Sequence, residues 1–139
     1  MVLKSKDGRI FCYSRGAGGA EEKLHAKLSI GIGGHIDAQA PAGSSNHAWF
    51  VQEAYRELYE EVGVAHNPLM VFDGLVLDRR KSHEDNGKTY VGQVHVGLLT
   101  VIDCEPEQLG QTEANVILAG EWLTIDELEE IIETTVDEG

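Results

Sequence analysis

The spacing of apolar and polar positions changes several times along the chain, and each change predicts an element. Ile10, Phe11, Cys12 and Tyr13 follow the turn signal Asp7-Gly8, so residues 9–14 read as a strand. Residues 16–20, Gly-Ala-Gly-Gly-Ala, predict a flexible loop. No Lys-Ser/Thr and no helical pattern follows them, which excludes a P-loop. Alternation returns over residues 28–32 and runs into Gly33, Gly34, His35 and Asp37. Paired glycines directly after a strand mark a place where backbone or ligand approaches closely. Pro41, Gly43, Ser44, Ser45 and Asn46 then make a loop that ends in helix N-cap chemistry.

From about His47 to Val62 the period becomes helical, with Gly63 placed to close the last turn and Pro68 shortly beyond. At 100° per residue, Val51, Tyr55, Leu58 and Val62 share one side with the small Ala48. Glu53, Glu57, Glu60 and Glu61 fall within an arc of roughly 100° on the other side. Like charges at i,i+4 cost a helix about 0.2–0.5 kcal/mol per pair. Glu53–Glu57 and Glu57–Glu61 are such pairs, and Arg56 is the one cation in the segment, too few to neutralise them. Either this is a solvated acidic face, or a divalent cation gathers it. Oxygen-only ligands suit Mg²⁺ or Mn²⁺ rather than zinc.

Beyond the helix, residues 69–77 predict a strand with a bend or bulge at Asp73-Gly74, and residues 90–102 a long apolar strand pairing with it. Between them, Asp85-Asn86-Gly87 is a turn signal. Residues 103–120 read mostly as loop with weak helical character, and Glu121-Trp122-Leu123 as a short strand. Thr124 followed by Glu127 makes a capping box for a last helix, whose Leu128, Ile131 and Ile132 share a face. No repeat or linker interrupts the pattern. Mixed strands with two helices predict a single domain over residues 1–139 of the α+β class, or an α/β/α sandwich.

Composition narrows the partners. A net charge of −13 over 139 residues argues against a nucleic-acid duplex, which is held mainly by Lys and Arg, and against an anionic membrane surface. A small anionic substrate fits only if metal ions or a local basic patch mask the acidity. A homodimer is compatible with these totals. No apolar run approaches a membrane span, and no basic start followed by an apolar stretch marks a signal peptide, so the expectation is a soluble protein of a reducing cytoplasm. A longer native chain, of which this is the core, fits as well. Cys12 and Cys104 read as small buried hydrophobes rather than a disulfide or a redox pair.

Gly34 followed by residues 56–64, Arg-Glu-Leu-Tyr-Glu-Glu-Val-Gly-Val, resembles the Nudix box of MutT-like hydrolases, within a poorly characterised phosphoesterase-like branch. That box runs glycine, five residues, glutamate, seven residues, then Arg-Glu-apolar-any-Glu-Glu-any-Gly-apolar. Eight of its nine specified positions are filled. Two departures stand out. Arg56 lies eight residues farther from Gly34 than in the pattern, and Ala48 occupies the place of the first glutamate. Asp37 and Glu53 are the acidic residues near enough to take over part of its role.

The resemblance implies a Nudix-type sandwich and hydrolysis of a pyrophosphate bond in a nucleoside diphosphate linked to another group, with Mg²⁺ or Mn²⁺. By position, Glu57, Glu60 and Glu61 resemble the metal-binding and catalytic glutamates, and Arg56 the residue that braces the loop–helix junction. Gly33 and Gly34 resemble the turn that presents backbone to the metal site. The family's general base is sometimes a helix glutamate and sometimes one on a later loop, for which Glu113 is the nearest analogue. The cationic run Arg79-Arg80-Lys81 is a candidate clasp for substrate phosphate, set against a plain solvated turn. Lys23, His25 and Lys27 are weaker candidates for flanking phosphate, and His35, His95 and the run His83-Glu84-Asp85 read mainly as structural or loop residues. The alternatives are a Nudix-fold nucleotide-binding or regulatory module without turnover, and isopentenyl-diphosphate isomerase chemistry. The second is disfavoured because Gly33 stands where that family has a cysteine. Nothing in the sequence names the substrate.

Overall fold

The computed structural model describes residues 1–14, 28–34, 36, 40–77, 96–110 and 119–137. In order these form β1 (Val2–Lys4), β2 (Ile10–Ser14), β3 (Leu28–Ser29), α1 (Asn46–Val62), β4 (Gly74–Leu77), β5 (Val96–Leu99), β6 (Val101–Asp103), a 3₁₀ turn (Pro106–Gln108), β7 (Ala119–Leu123) and α2 (Ile125–Asp137). The class is mixed α+β, with a mixed sheet and two helices.

β2 organises the larger sheet. Its residues 10–13 are all buried, an apolar run rather than an alternation, as befits a strand covered on both faces. β7 pairs antiparallel with its whole length, from Ile10↔Leu123 to Ser14↔Ala119. β1 pairs with it at Lys4↔Ile10 and β3 at Tyr13↔Ser29. β1 in turn pairs in parallel with β6, Val2↔Val101 through Lys4↔Asp103, which makes the sheet mixed. Leu58 and Val62 of α1 join Leu3, Phe11, Tyr13, Ile32 and Ile102 in one buried cluster, so the apolar side of the helix lies against this sheet. Each such side chain contributes about 1.5–3 kcal/mol by leaving water.

The predicted ends of α1 are borne out. The Ser45 hydroxyl accepts from the Ala48 amide at 3.2 Å, satisfying one orphan donor. Gly63 closes the helix in the left-handed region at φ 67°, its N–H donating to the Tyr59 carbonyl. The capping box of α2 is present as well: Thr124 N–H donates to the Glu127 carboxylate at 2.7 Å, and Glu127 N–H to the Thr124 hydroxyl at 3.2 Å. Ile132 and Ile125 of α2 are nonetheless exposed, so the stripe expected at Leu128, Ile131 and Ile132 is only partly covered. Both cysteines are buried and free, and burial pushes their thiols above the ordinary range.

Three strand expectations are corrected. The strand at residues 28–32 stops at Ser29, because Ile32 N–H turns to the Met1 carbonyl at 2.8 Å and leaves the β2 ladder. The strand at residues 69–77 begins only at Gly74. Asp73 instead takes a bridging part, its amide donating to Leu99 and its carboxylate accepting from the Val101 amide at 2.9 Å. The long strand over residues 90–102 is, where described, two strands separated by Thr100. The buried Thr100 hydroxyl donates to the Val71 carbonyl, and its own carbonyl accepts from Val2. The chain thereby passes from a separate two-stranded sheet, β4 with β5, into the edge of the larger one. A strand missed in the sequence, β1, is only three residues long and carries too little pattern to be read. Among the described residues, no helix is long and apolar enough to cross a membrane.

Candidate functional site

Where β3 ends, residues 31–34 run past α1 and set backbone against its carboxylates. Gly33 N–H donates to Glu61 Oε2 at 3.3 Å. Gly34 lies against Glu57: a Cβ built there would come within 2.3 Å of Glu57 Oε1 and 2.5 Å of Oε2. The second glycine therefore leaves the room in which the Glu57 carboxylate sits, as the pairing of glycines implied.

The acidic arc is not the open face that helical geometry alone predicts. Glu53 is only 6% exposed, and the Glu57 side chain 16%, while Glu60 stands out at 45%. Arg56, expected to be too few a cation, bridges three of the four. Its Nη2 donates to Glu53 Oε2 at 2.9 Å and to Glu57 Oε1 at 2.7 Å, and its Nη1 to Glu60 Oε2 at 2.8 Å. The i−3, i+1 and i+4 spacings bring these partners within reach of one planar fork, whose donor geometry suits carboxylates. Hydrogen bonds to Glu53 foremost, and to Glu57, raise the guanidinium's proton affinity further above its already high value. Glu61, outside this fork, meets Gly33 instead.

Beside the carboxylates opens a cavity of about 540 Å³, within the range of small-molecule sites. Phe50, Glu53, Ala54 and Glu57 of α1 line it, together with Gly33, Gly34, Phe72 and the β5 residues Val96, Gly97 and Leu98. Phe72 is met edge-on by His47 of the first helical turn, ring centres 5.8 Å apart. The sequence held a signal for this wall that division into an apolar and an acidic side obscures. Positions 50, 53, 54 and 57 are i, i+3, i+4 and i+7, one continuous stripe of mixed polarity.

The structure thus brings together Gly33, Gly34, Arg56, Glu57 and Glu61, adds Glu53, and leaves Glu60 at the solvent side of the guanidinium. Ala48, at the vacant glutamate position, is exposed at the helix start. Glu113, Arg79, Arg80, Lys81, Asp37, His35, His95, Lys23, His25, Lys27, His83, Glu84 and Asp85 lie outside the described residues. Among the described residues, no three His, Cys, Asp or Glu are gathered closely enough to hold a metal by themselves. The donors at hand, the Glu57 and Glu61 carboxylates, are hard oxygen ligands. Such a set fits Mg²⁺, which commonly takes one or two carboxylates and fills its sphere with water and substrate phosphate.

No protein-family model matches the chain. Over 132 residues, 94% of its length, it is 33% identical to Protein YmaB of Bacillus subtilis (strain 168). The chain spans 59% of that protein's length.

Proposed function

We propose that this chain is a divalent-metal-dependent pyrophosphohydrolase of the Nudix type, acting on a nucleoside diphosphate linked to another group, with the sandwich arrangement of that family. The observation that carries the reading is the seating of Glu57 and Glu61 against the Gly33 and Gly34 backbone, beside a cavity of small-molecule size. A merely solvated acidic face needs neither the room at Gly34 nor the burial of Glu53 beside it.

Glu57 and Glu61 would hold the metal. Once bound, the ion supplies neutralisation of phosphate charge and a more acidic water. The remaining work falls to the chain. Arg56 keeps the carboxylates of α1 from repelling one another and fixes Glu57 beneath Gly34. The apolar wall of Phe50, Phe72 and Leu98 takes the uncharged part of the substrate and excludes water from it. The phosphates would lie toward the metal held by the carboxylates, with Arg79 and Arg80, which follow β4 in sequence, as their proposed clasp. Glu113, or Glu60 once released from its ion pair with Arg56, would take the proton of the attacking water.

A panel of nucleoside diphosphate derivatives, assayed for phosphate-ester products with Mg²⁺ and with Mn²⁺, tests the reading. Turnover of at least one member that stops with a chelator is expected. No turnover of any member would move the weight to a non-catalytic nucleotide-binding module.

A further inference from the structure

Glu53 is the one acidic side chain of α1 that is nearly buried, at 6% exposure, and it sits in the cavity wall next to Glu57. A buried carboxylate loses hydration worth several kcal/mol and persists only when paired and hydrogen-bonded. Its partner is Arg56 Nη2, and that same nitrogen also donates to Glu57 Oε1. The guanidinium is planar and rigid, so anchoring one of its nitrogens against a buried group fixes where the other donors point. Arg56 itself is 40% exposed and would otherwise share its time with solvent and Glu60.

We propose that Glu53 is a positioning residue: from its buried place it anchors the Arg56 guanidinium, which in turn holds the Glu57 carboxylate in the room left at Gly34. Glu53 thus stands in for the absent glutamate at position 48, whose alanine lies exposed in the first turn of the helix. The inference rests on Glu57 being a metal ligand. A partner acting through a ligand in this way typically tunes metal affinity by about 10–100-fold. Glu53 itself touches neither metal nor substrate in this account.

The experiment measures Mn²⁺ binding alone, by calorimetry, on the wild-type chain and on Glu53→Gln and Glu53→Met. Glu53→Met keeps the volume and removes both charge and acceptor, and burying an apolar residue there leaves the fold intact. Glu53→Gln keeps an oxygen for Arg56 and serves as the conservative rescue. The expected order of affinity is wild type, then Glu53→Gln, then Glu53→Met, with the last weaker by about 10–100-fold. Equal affinity in all three, with both variants folded by circular dichroism, overturns the proposal. A wild-type chain that binds no Mn²⁺ sinks the metal reading instead. The clasp is then decided by nitrogen NMR of the Arg56 guanidinium, where slowed rotation that is lost in Glu53→Met upholds the anchoring and unrestricted rotation in the wild type refutes it.

Discussion

The two helices of this chain are both acidic, and they use their carboxylates in opposite ways. α2 carries Asp126, Glu127, Glu129, Glu130 and Glu133, all exposed, and among the described residues no ion pair joins them. Its acids lie partly in the first turn, where they favour the positive end of the helix dipole, and partly on a wet face. α1 has no acid in its first turn. Its four glutamates stand farther along; Glu53 and Glu57 are drawn inward beside a guanidinium, Glu61 meets glycine backbone, and only Glu60 stays at the solvent side. Charge counting alone makes the two helices look alike. What separates them is the neighbourhood: an arginine at the i−3, i+1 and i+4 reach of three glutamates, and a backbone with no Cβ at Gly34.

That contrast can be broken most severely at the proposed ligands. Glu57→Gln or Glu61→Gln removes charge stabilisation worth several kcal/mol in the transition state, so Mg²⁺-dependent turnover should fall by at least about a hundredfold. Glu129→Gln with Glu130→Gln in α2 should leave the rate unchanged. Equal losses in steady-state assays of both helices would erase the distinction.

Next in size is the guanidinium. Arg56→Ala leaves Glu53 buried without a counter-charge, which destabilises the protein by up to about 3 kcal/mol, discounted for the partial exposure of Arg56. Urea unfolding reads this directly. Neutralising any one carboxylate of α2 away from its cap should stay within about 0.5 kcal/mol.

Gly34→Ala sharpens the comparison by separating stability from function. The atom that a new Cβ would strike is the end of a flexible side chain, Glu57. The fold therefore absorbs the change by moving that carboxylate, and activity should fall by far more than the melting temperature would suggest. A variant with full turnover would show that the seat of Glu57 is irrelevant.

Much of this was legible before the fold. The caps at Ser45, Gly63 and Thr124 were visible because capping chemistry is local, and the paired glycines and the Arg56–Glu61 segment stood out by spacing. The burial of Glu53 was not legible. Helical geometry puts it on the side away from Leu58 and Val62, and only the chain returning past α1 at residues 31–34 and the β5 wall enclose it. The break at Thr100 was hidden for a similar reason: residues 96–102 are β formers or apolar but for Gly97, and the hydroxyl bond to Val71 that divides them joins positions 29 apart in sequence. Short β1 gains its identity only from its partners.

The smallest expected effect lies at the cap of α2. Thr124→Ala should cost about 1 kcal/mol in thermal or urea unfolding. Its companion Glu127 has a carboxyl held below the ordinary value by hydrogen bonds from the Thr124 amide and hydroxyl. A depressed folded-state pKa means the stabilisation is fully present above the unfolded carboxylate range. It is lost as pH falls through the lower folded value, so the Thr124→Ala penalty should shrink in acid.

The central claim is that the acidic side of α1 gathers a divalent cation and that of α2 does not. Thermal unfolding across a Mg²⁺ titration tests it most directly, because an ion bound only by the folded chain stabilises it by about 2.7 kcal/mol at a hundredfold excess over Kd. The melting temperature should rise with Mg²⁺ in the wild-type chain and in Glu129→Gln/Glu130→Gln, and stay flat in Glu57→Gln/Glu61→Gln. A flat wild-type curve, or the same rise in all three proteins, would contradict the account.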